Sequence, residues 1–225
     1  MLLNILGSDS PSAIFKDMKV DGTLRRIYPE IDSLFGIPQP SNHHPEIDTG
    51  IHTLMVLDKI VSFTTSIKAR FGALVHDLGK GVTPTELLPK HHGHELAGVN
   101  IVITMGKRLN LNQDLINFGC LISEYHTHIH KGLELKPSSI LKVLNVFNAY
   151  NDPDNFRLAL LVCKADAQGR LGFEDRDYPQ LDFFTEILDN MLLVNWDELY
   201  PVLNTDSQIQ TKLRHQHNII KMVRK

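Results

Sequence analysis

The chain has 225 residues, a formal net charge of −3 at pH 7 and a hydrophobic share of 42%, which suits one generous globular domain or a domain plus a helical appendage. A charge balance this close to neutral gives no reason to expect the broad basic face of a protein that lives on duplex nucleic acid, although a local positive site could still take a small phosphorylated ligand or an RNA end. No apolar run approaches the ~20 residues needed to cross a bilayer, so no membrane association is expected, and the distant Cys120 and Cys163 make neither a disulfide framework nor a CxxC metal site.

The start, Met1 to Leu6, is apolar but lacks a basic flank and is too short for a signal sequence, which points to a cytoplasmic protein. Residues 1–35 read as flanking helices. Pro38, Pro40 and Pro45 precede segment 49–63, where His52, Met55, Val56, Ile60 and Phe63 share one stripe. Segment 66–78 carries Ile67, Phe71, Leu74 and Leu78 on one face, with Ala69, Ala73, His76, Asp77 and Lys80 on the neighbouring one; Gly79 to Pro84 end it. Helices follow over 95–109 and 112–126. Another opens at Pro137 and closes at Asn151-Asp152-Pro153. Segment 155–167 aligns Phe156, Ala159, Cys163 and Asp166, and residues 180–225 read as further helix whose basic tail (Lys212, Arg214, Lys221, Arg224, Lys225) is a solvated end. Spacings of three and four recur throughout, and β-branched residues never alternate with polar ones over a long run. The fold class expected is all-α.

The chemistry concentrates on a few of these stripes. His76-Asp77 pairs a neutral imidazole with an anionic oxygen, a donor set suited to a divalent ion, and Ala69 and Ala73 leave room beside it. His52, on the preceding helix, comes beside His76 if the two helices run antiparallel. Asp166 extends an apolar stripe, and a carboxylate facing a core needs a metal, a cation or several donors. His52, His76, Asp77 and Asp166 therefore form a candidate four-ligand site with positions open for water and phosphate. Of the twelve histidines, His94 and His126 join this active-site reading, whereas His43, His44, His128, His130, His215 and His217 read as solvated loop residues. A metalloprotease HExxH is excluded because Gly98 stands where the second His is required, and Gly79-Lys80 lacks the remaining residues of a P-loop.

The order H…HD…H…H…D resembles the HD phosphohydrolase superfamily. More narrowly, Tyr28-Pro-Glu-Ile-Asp-Ser-Leu-Phe-Gly-Ile-Pro-Gln-Pro40, His44-Pro-Glu-Ile-Asp-Thr-Gly-Ile-His52, His76-Asp-Leu-Gly-Lys-Gly-Val-Thr-Pro84, His91-His-Gly-His-Glu95, Ala165-Asp-Ala-Gln-Gly-Arg170 and Gly172-Phe-Glu-Asp175 are similar to the C-terminal HD domain of bacterial multifunctional CCA-adding enzymes. The resemblance covers roughly residues 10–200. It implies an all-α HD-domain bundle over 41–180, with an N-terminal flanking segment 1–40 and a C-terminal extension 181–225. It also implies a divalent ion (Ni, Mn, Co, Fe, Zn or Mg) on His52, His76, Asp77 and Asp166, with His94 and His126 serving a second metal or the substrate phosphate. The activities implied are phosphatase, 2′-nucleotidase and 2′,3′-cyclic phosphodiesterase, on nucleotide or RNA-end phosphoesters and in the context of tRNA 3′-end processing or repair. CCA addition is not expected, because nothing in these residues matches the nucleotidyltransferase head.

In such a site Asp77 orients water as a base, Lys80 and Arg170 neutralise phosphate charge, and His94 or His126 protonates the leaving oxygen. Two other readings stand beside it: a non-catalytic tRNA-binding module, and an HD hydrolase of free nucleotides such as (p)ppGpp or dNTPs. A homodimer is compatible with all three.

Overall fold

The computed structural model describes residues 1–40, 45–201 and 205–224, and within them the fold is all-α, with no strand. In chain order the helices are α1 (Leu2–Leu6), α2 (Pro11–Val20), α3 (Thr23–Ile27), α4 (Pro29–Asp32), α5 (Thr49–Phe63), α6 (Ile67–Val75), α7 (His94–Arg108), α8 (Gln113–His130), α9 (Pro137–Val146), α10 (Pro153–Gln168), α11 (Pro179–Leu192), α12 (Trp196–Leu199) and α13 (Asp206–Val223). Short 3₁₀ turns cover Leu78–Val82, Thr85–Leu87 and Gly132–Glu134. Local sequence explains many of the boundaries. Asp48 caps α5 by accepting from the Ile51 N–H at 2.9 Å, and Ser66 caps α6. Proline occupies the first turn of α2, α4, α9 and α11, where its missing N–H costs nothing.

The chain forms two compact units, residues 1–127 with 161–177, and residues 128–160 with 178–225; α8 and α10 contribute to both. In the first unit, Leu54, Val56, Leu57 and Ile60 of α5 are buried, as are Phe71, Leu74 and Val75 of α6, Val102 of α7, Phe118 and Ile122 of α8, and Val162 of α10. Buried Arg70 donates to the carbonyls of Leu6 (2.7 Å), Ser8 (2.9 Å) and Thr64 (3.1 Å), fastening the N-terminal residues to α6. In the second unit, Phe156 packs against Phe147 and Phe184, with ring centroids 5.4 and 5.8 Å apart. Thr205 and Gln208 start α13 with a reciprocal capping box.

Three boundaries differ from the periodicity. The helix expected over 66–78 stops at Val75. The helix opened by Pro137 stops at Val146, because Asn148 adopts a left-handed conformation (φ 52°) and the Ala149 N–H turns back to the Leu144 carbonyl. Helix α8 continues past residue 126 to His130. Consequently His128 and His130 lie on α8, and His215 and His217 on α13, rather than in loops; His43 and His44 lie outside the described residues.

Candidate metal centre

Four elements of the first unit bring together side chains far apart in sequence. His52 comes from α5, His94 from α7, His126 from α8 and Asp166 from α10, while His76 and Asp77 occupy the break after α6. His76 keeps a helical backbone at the C-cap of α6, and Asp77 leaves it at φ −112°, ψ 13°. The departure directs the Asp77 carboxylate back to its neighbour, with Oδ2 3.1 Å from His76 Nε2. The following 3₁₀ turn folds Lys80 onto the same oxygen, Nζ to Oδ2 2.7 Å. A Cβ at Gly79 would collide with the His94 carbonyl and lie 2.7 Å from Gly98 N; only glycine lets α7 approach this closely.

The histidines share one hydrogen-bonding pattern. Nδ1 lies 3.1 Å from the Gly169 carbonyl in His52, 2.8 Å from that of Ala73 in His76, 2.7 Å from that of His91 in His94 and 3.0 Å from that of Ile122 in His126. A carbonyl oxygen only accepts, so each Nδ1 carries a hydrogen and donates it; in the neutral ring Nε2 then holds the lone pair. Those Nε2 atoms face carboxylate oxygens: His52 to Asp166 Oδ1 at 3.1 Å, His94 to Asp77 Oδ1 at 3.3 Å and His126 to Asp77 Oδ1 at 3.6 Å. Two lone pairs facing each other in a buried site attract only through a proton or a cation between them. His76 Nε2 and His94 Nε2 are also buried without a hydrogen-bond partner among the described residues. The donor set fits a divalent ion on these grounds.

The potential ligand atoms form two groups, His52 with His76 and Asp166, and Asp77 with His94 and His126. Within each group the atoms lie within 4.8 Å of one another. The sequence had grouped Asp77 with His52, His76 and Asp166; in space it borders both, through Oδ2 toward His76 and Oδ1 toward His94 and His126. Arg170 donates to Asp166 Oδ1 at 3.1 Å. Two residues whose side chains are buried in the centre escaped the sequence reading. Glu46 places Oε1 3.0 Å from His52 Nδ1, and the Gln39 amide oxygen accepts from Lys80 Nζ at 2.6 Å. Both sit in the aperiodic stretch before α5; the one local signal is that Glu46 is a carboxylate two residues ahead of the α5 cap in a stretch matched to a family motif.

Among the described residues, three carboxylates with buried side chains (Glu46, Asp77, Asp166) face two cations (Lys80, Arg170), and the partly exposed Glu95 adds a further carboxylate 3.4 Å from His94 Nδ1, so the centre is net negative when the imidazoles are neutral. Burial pushes the Asp77 carboxyl up, but Lys80 and His76 outweigh it and hold the group well below its usual range. Burial pushes the His76 and His94 imidazoles down, yet Asp77 more than compensates and both sit above the ordinary histidine value. His91, just ahead of α7, is a packing residue. Its Nε2 donates to the Pro38 carbonyl at 3.0 Å and its Nδ1 accepts from Thr83 Oγ1 at 2.8 Å, and burial keeps its pKa low.

The HD-domain family model matches residues 49–168, the span that contains all six potential ligands. Similar proteins include the multifunctional CCA proteins of Psychromonas ingrahamii (40% identical, covering 94% of this chain and 52% of that protein), Thioalkalivibrio sulfidiphilus (44%, covering 79% and 44%) and Hahella chejuensis (42%, covering 86% and 46%). The chain thus spans about half the length of the curated relatives it matches. No helix among the described residues is long and apolar enough to cross a membrane. With the family match joined to two His/Asp groups able to hold a metal, the chain belongs to the HD-domain family of the metal-dependent phosphohydrolase superfamily.

Proposed function

We propose that the chain hydrolyses phosphoesters of nucleotides or RNA ends, as a 2′,3′-cyclic phosphodiesterase, 2′-nucleotidase or phosphatase linked to tRNA 3′-end processing or repair. The carrying observation is the set of four imidazoles whose Nδ1 atoms meet main-chain carbonyls while their Nε2 atoms meet carboxylate oxygens of Asp166 and Asp77. His52, His76, Asp77 and Asp166 would hold a divalent ion, with His94 and His126 available to a second ion or to the substrate. Such an ion supplies Lewis acidity toward water and a phosphoryl oxygen.

The chain's own groups do the rest. Lys80 and Arg170 bring positive charge to the scissile phosphate, and both are held on carboxylates of the centre, at 2.7 and 3.1 Å. Asp77 orients the attacking water. His94 or His126 gives a proton to the leaving ribose oxygen from Nε2, a role suited to imidazoles near neutral pH. The test is a panel of 2′,3′-cyclic nucleotides, 2′-phosphates, p-nitrophenyl phosphate, (p)ppGpp and dNTPs, assayed with each candidate metal on wild type and Asp77→Ala. Turnover of the first three substrates that Asp77→Ala abolishes supports the reading. Turnover confined to (p)ppGpp or dNTPs makes this an HD hydrolase of free nucleotides instead. No turnover with tRNA still bound makes it a binding module.

A further inference from the structure

Gln39 is 2% exposed, and its backbone is fixed: its N–H donates to the Ile47 carbonyl at 2.7 Å, and Pro38 and Asp48 on either side form an antiparallel bridge. The side chain is equally constrained. Lys80 is a pure donor, so the atom 2.6 Å from its Nζ must be the amide oxygen, which fixes the orientation of the amide. The amide nitrogen is then left buried with no hydrogen-bond partner among the described residues. A buried amide donor without an acceptor is costly, and such a group calls for a bound water, ion or ligand to complete it.

The position says which ligand. Gln39 Oε1 bonds Lys80 Nζ, and the same Nζ lies 2.7 Å from Asp77 Oδ2, so the orphaned N–H₂ belongs to an amide anchored on an ammonium group of the centre. A ligand there meets an ammonium and an amide donor side by side. That combination matches an anionic oxygen. We propose that Gln39 is a substrate-binding residue whose side-chain N–H donates to a phosphoryl oxygen of the substrate, next to Lys80. This rests on the phosphoester reading above.

The test uses Gln39→Met, similar in volume but unable to donate or accept, in wild-type and Lys80→Met backgrounds. Inorganic phosphate binding to the metal-loaded protein is measured by calorimetry, alongside KM and kcat for 2′,3′-cyclic AMP and p-nitrophenyl phosphate. A hydrogen bond to a charged oxygen predicts about a tenfold loss of phosphate affinity and a similar rise in KM for both substrates, in both backgrounds. No effect in the Lys80→Met background overturns the proposal, because Gln39 would then act only by holding Lys80. A shift for cyclic AMP but not for phosphate or p-nitrophenyl phosphate also overturns it, since the donor would be reading the ribose. In the Lys80→Met background, where no bond to Lys80 can be lost, adding Gln39→Met should leave the thermal midpoint of the metal- and phosphate-free protein equal or higher, because an unsatisfied donor is removed; a clear fall would mark a structural role. If wild type turns over nothing yet binds phosphate through Gln39, the hydrolytic reading fails while the contact of Gln39 with a phosphoryl oxygen is upheld.

Discussion

Replacing Asp77 by Asn separates the electrostatics of the centre from its metal chemistry. The substitution keeps the shape but removes a buried charge that lies 2.7 Å from Lys80 Nζ. At an effective dielectric of about 20 that pair has a gross attraction of about 6 kcal/mol. Lys80 retains the Gln39 amide oxygen at 2.6 Å, which offsets part of that loss. The expected net loss in the metal-free protein is therefore about 3 kcal/mol, at the low end for breaking a buried pair. For a chain of this size that corresponds to a fall in thermal midpoint of about 6–12 °C, read by calorimetry after chelation. Adding metal at about a hundred times its Kd should stabilise wild type by about 2.7 kcal/mol and leave Asp77→Asn nearly unmoved. The double variant Asp77→Asn, Lys80→Met should recover most of the lost stability without recovering metal binding, because it removes both charges together. An equal metal-induced shift in wild type and Asp77→Asn, or a double variant no more stable than the single one, refutes the reasoning.

Metal binding should release protons. The imidazoles of His76 and His94 are raised above the ordinary histidine value, so in the metal-free protein their stabilising protonation is fully present below about pH 6.5 and is lost as pH rises through the higher folded values. Asp77 runs the other way: its depressed carboxyl stabilises the fold above about pH 4 and loses that contribution as pH falls through the folded value. Apparent metal affinity should thus climb as pH rises above about 6.5 through the raised folded values, with net proton release seen by calorimetry in buffers of different protonation enthalpy; no release would contradict the assignment. Gly79→Ala should separate α7 from the 3₁₀ turn, because its Cβ meets backbone rather than a flexible side chain, lying 2.7 Å from Gly98 N. We expect a loss of at least about 3 kcal/mol together with the metal response; a variant with wild-type midpoint and metal response would show that the contact yields freely.

The sequence made some parts of this centre visible and hid others, for physical reasons. Asp166 was legible because helical periodicity carried it onto the stripe of Phe156, Ala159 and Cys163, and all four residues are indeed buried. His52 was legible in the same way, on α5. Glu46 and Gln39 were not, since the stretch before α5 has no period; its shape comes from a bridge, an Asp48 side chain that accepts from the Gly36 N–H at 2.6 Å, and Ile47 held at φ 60°. A β-branched residue in the left-handed region has no local propensity to announce it. The tautomers were hidden too: the carbonyl that takes the His52 Nδ1 hydrogen belongs to Gly169, 117 residues away. Gly169 in turn packs so tightly on α5 that a Cβ would lie 2.6 Å from Val56 Cα.

The break after Val75 is the feature that helical reasoning gets wrong, and it organises the rest. In a continuous helix, adjacent side chains diverge by about 100°, so His76 and Asp77 would serve one site only at its margin. The observed backbone instead keeps His76 helical, where its Nδ1 reaches the Ala73 carbonyl one turn back, and lets Asp77 leave the helix and turn its carboxylate inward. Gly79 admits α7 against the next turn, which brings His94 to the second oxygen of Asp77, and that 3₁₀ turn returns Lys80 to the first. His76, Asp77, Gly79 and Lys80 thus act as one device. Each is needed because the helix stops, and the stop gives Asp77 an oxygen for each of the two ligand groups.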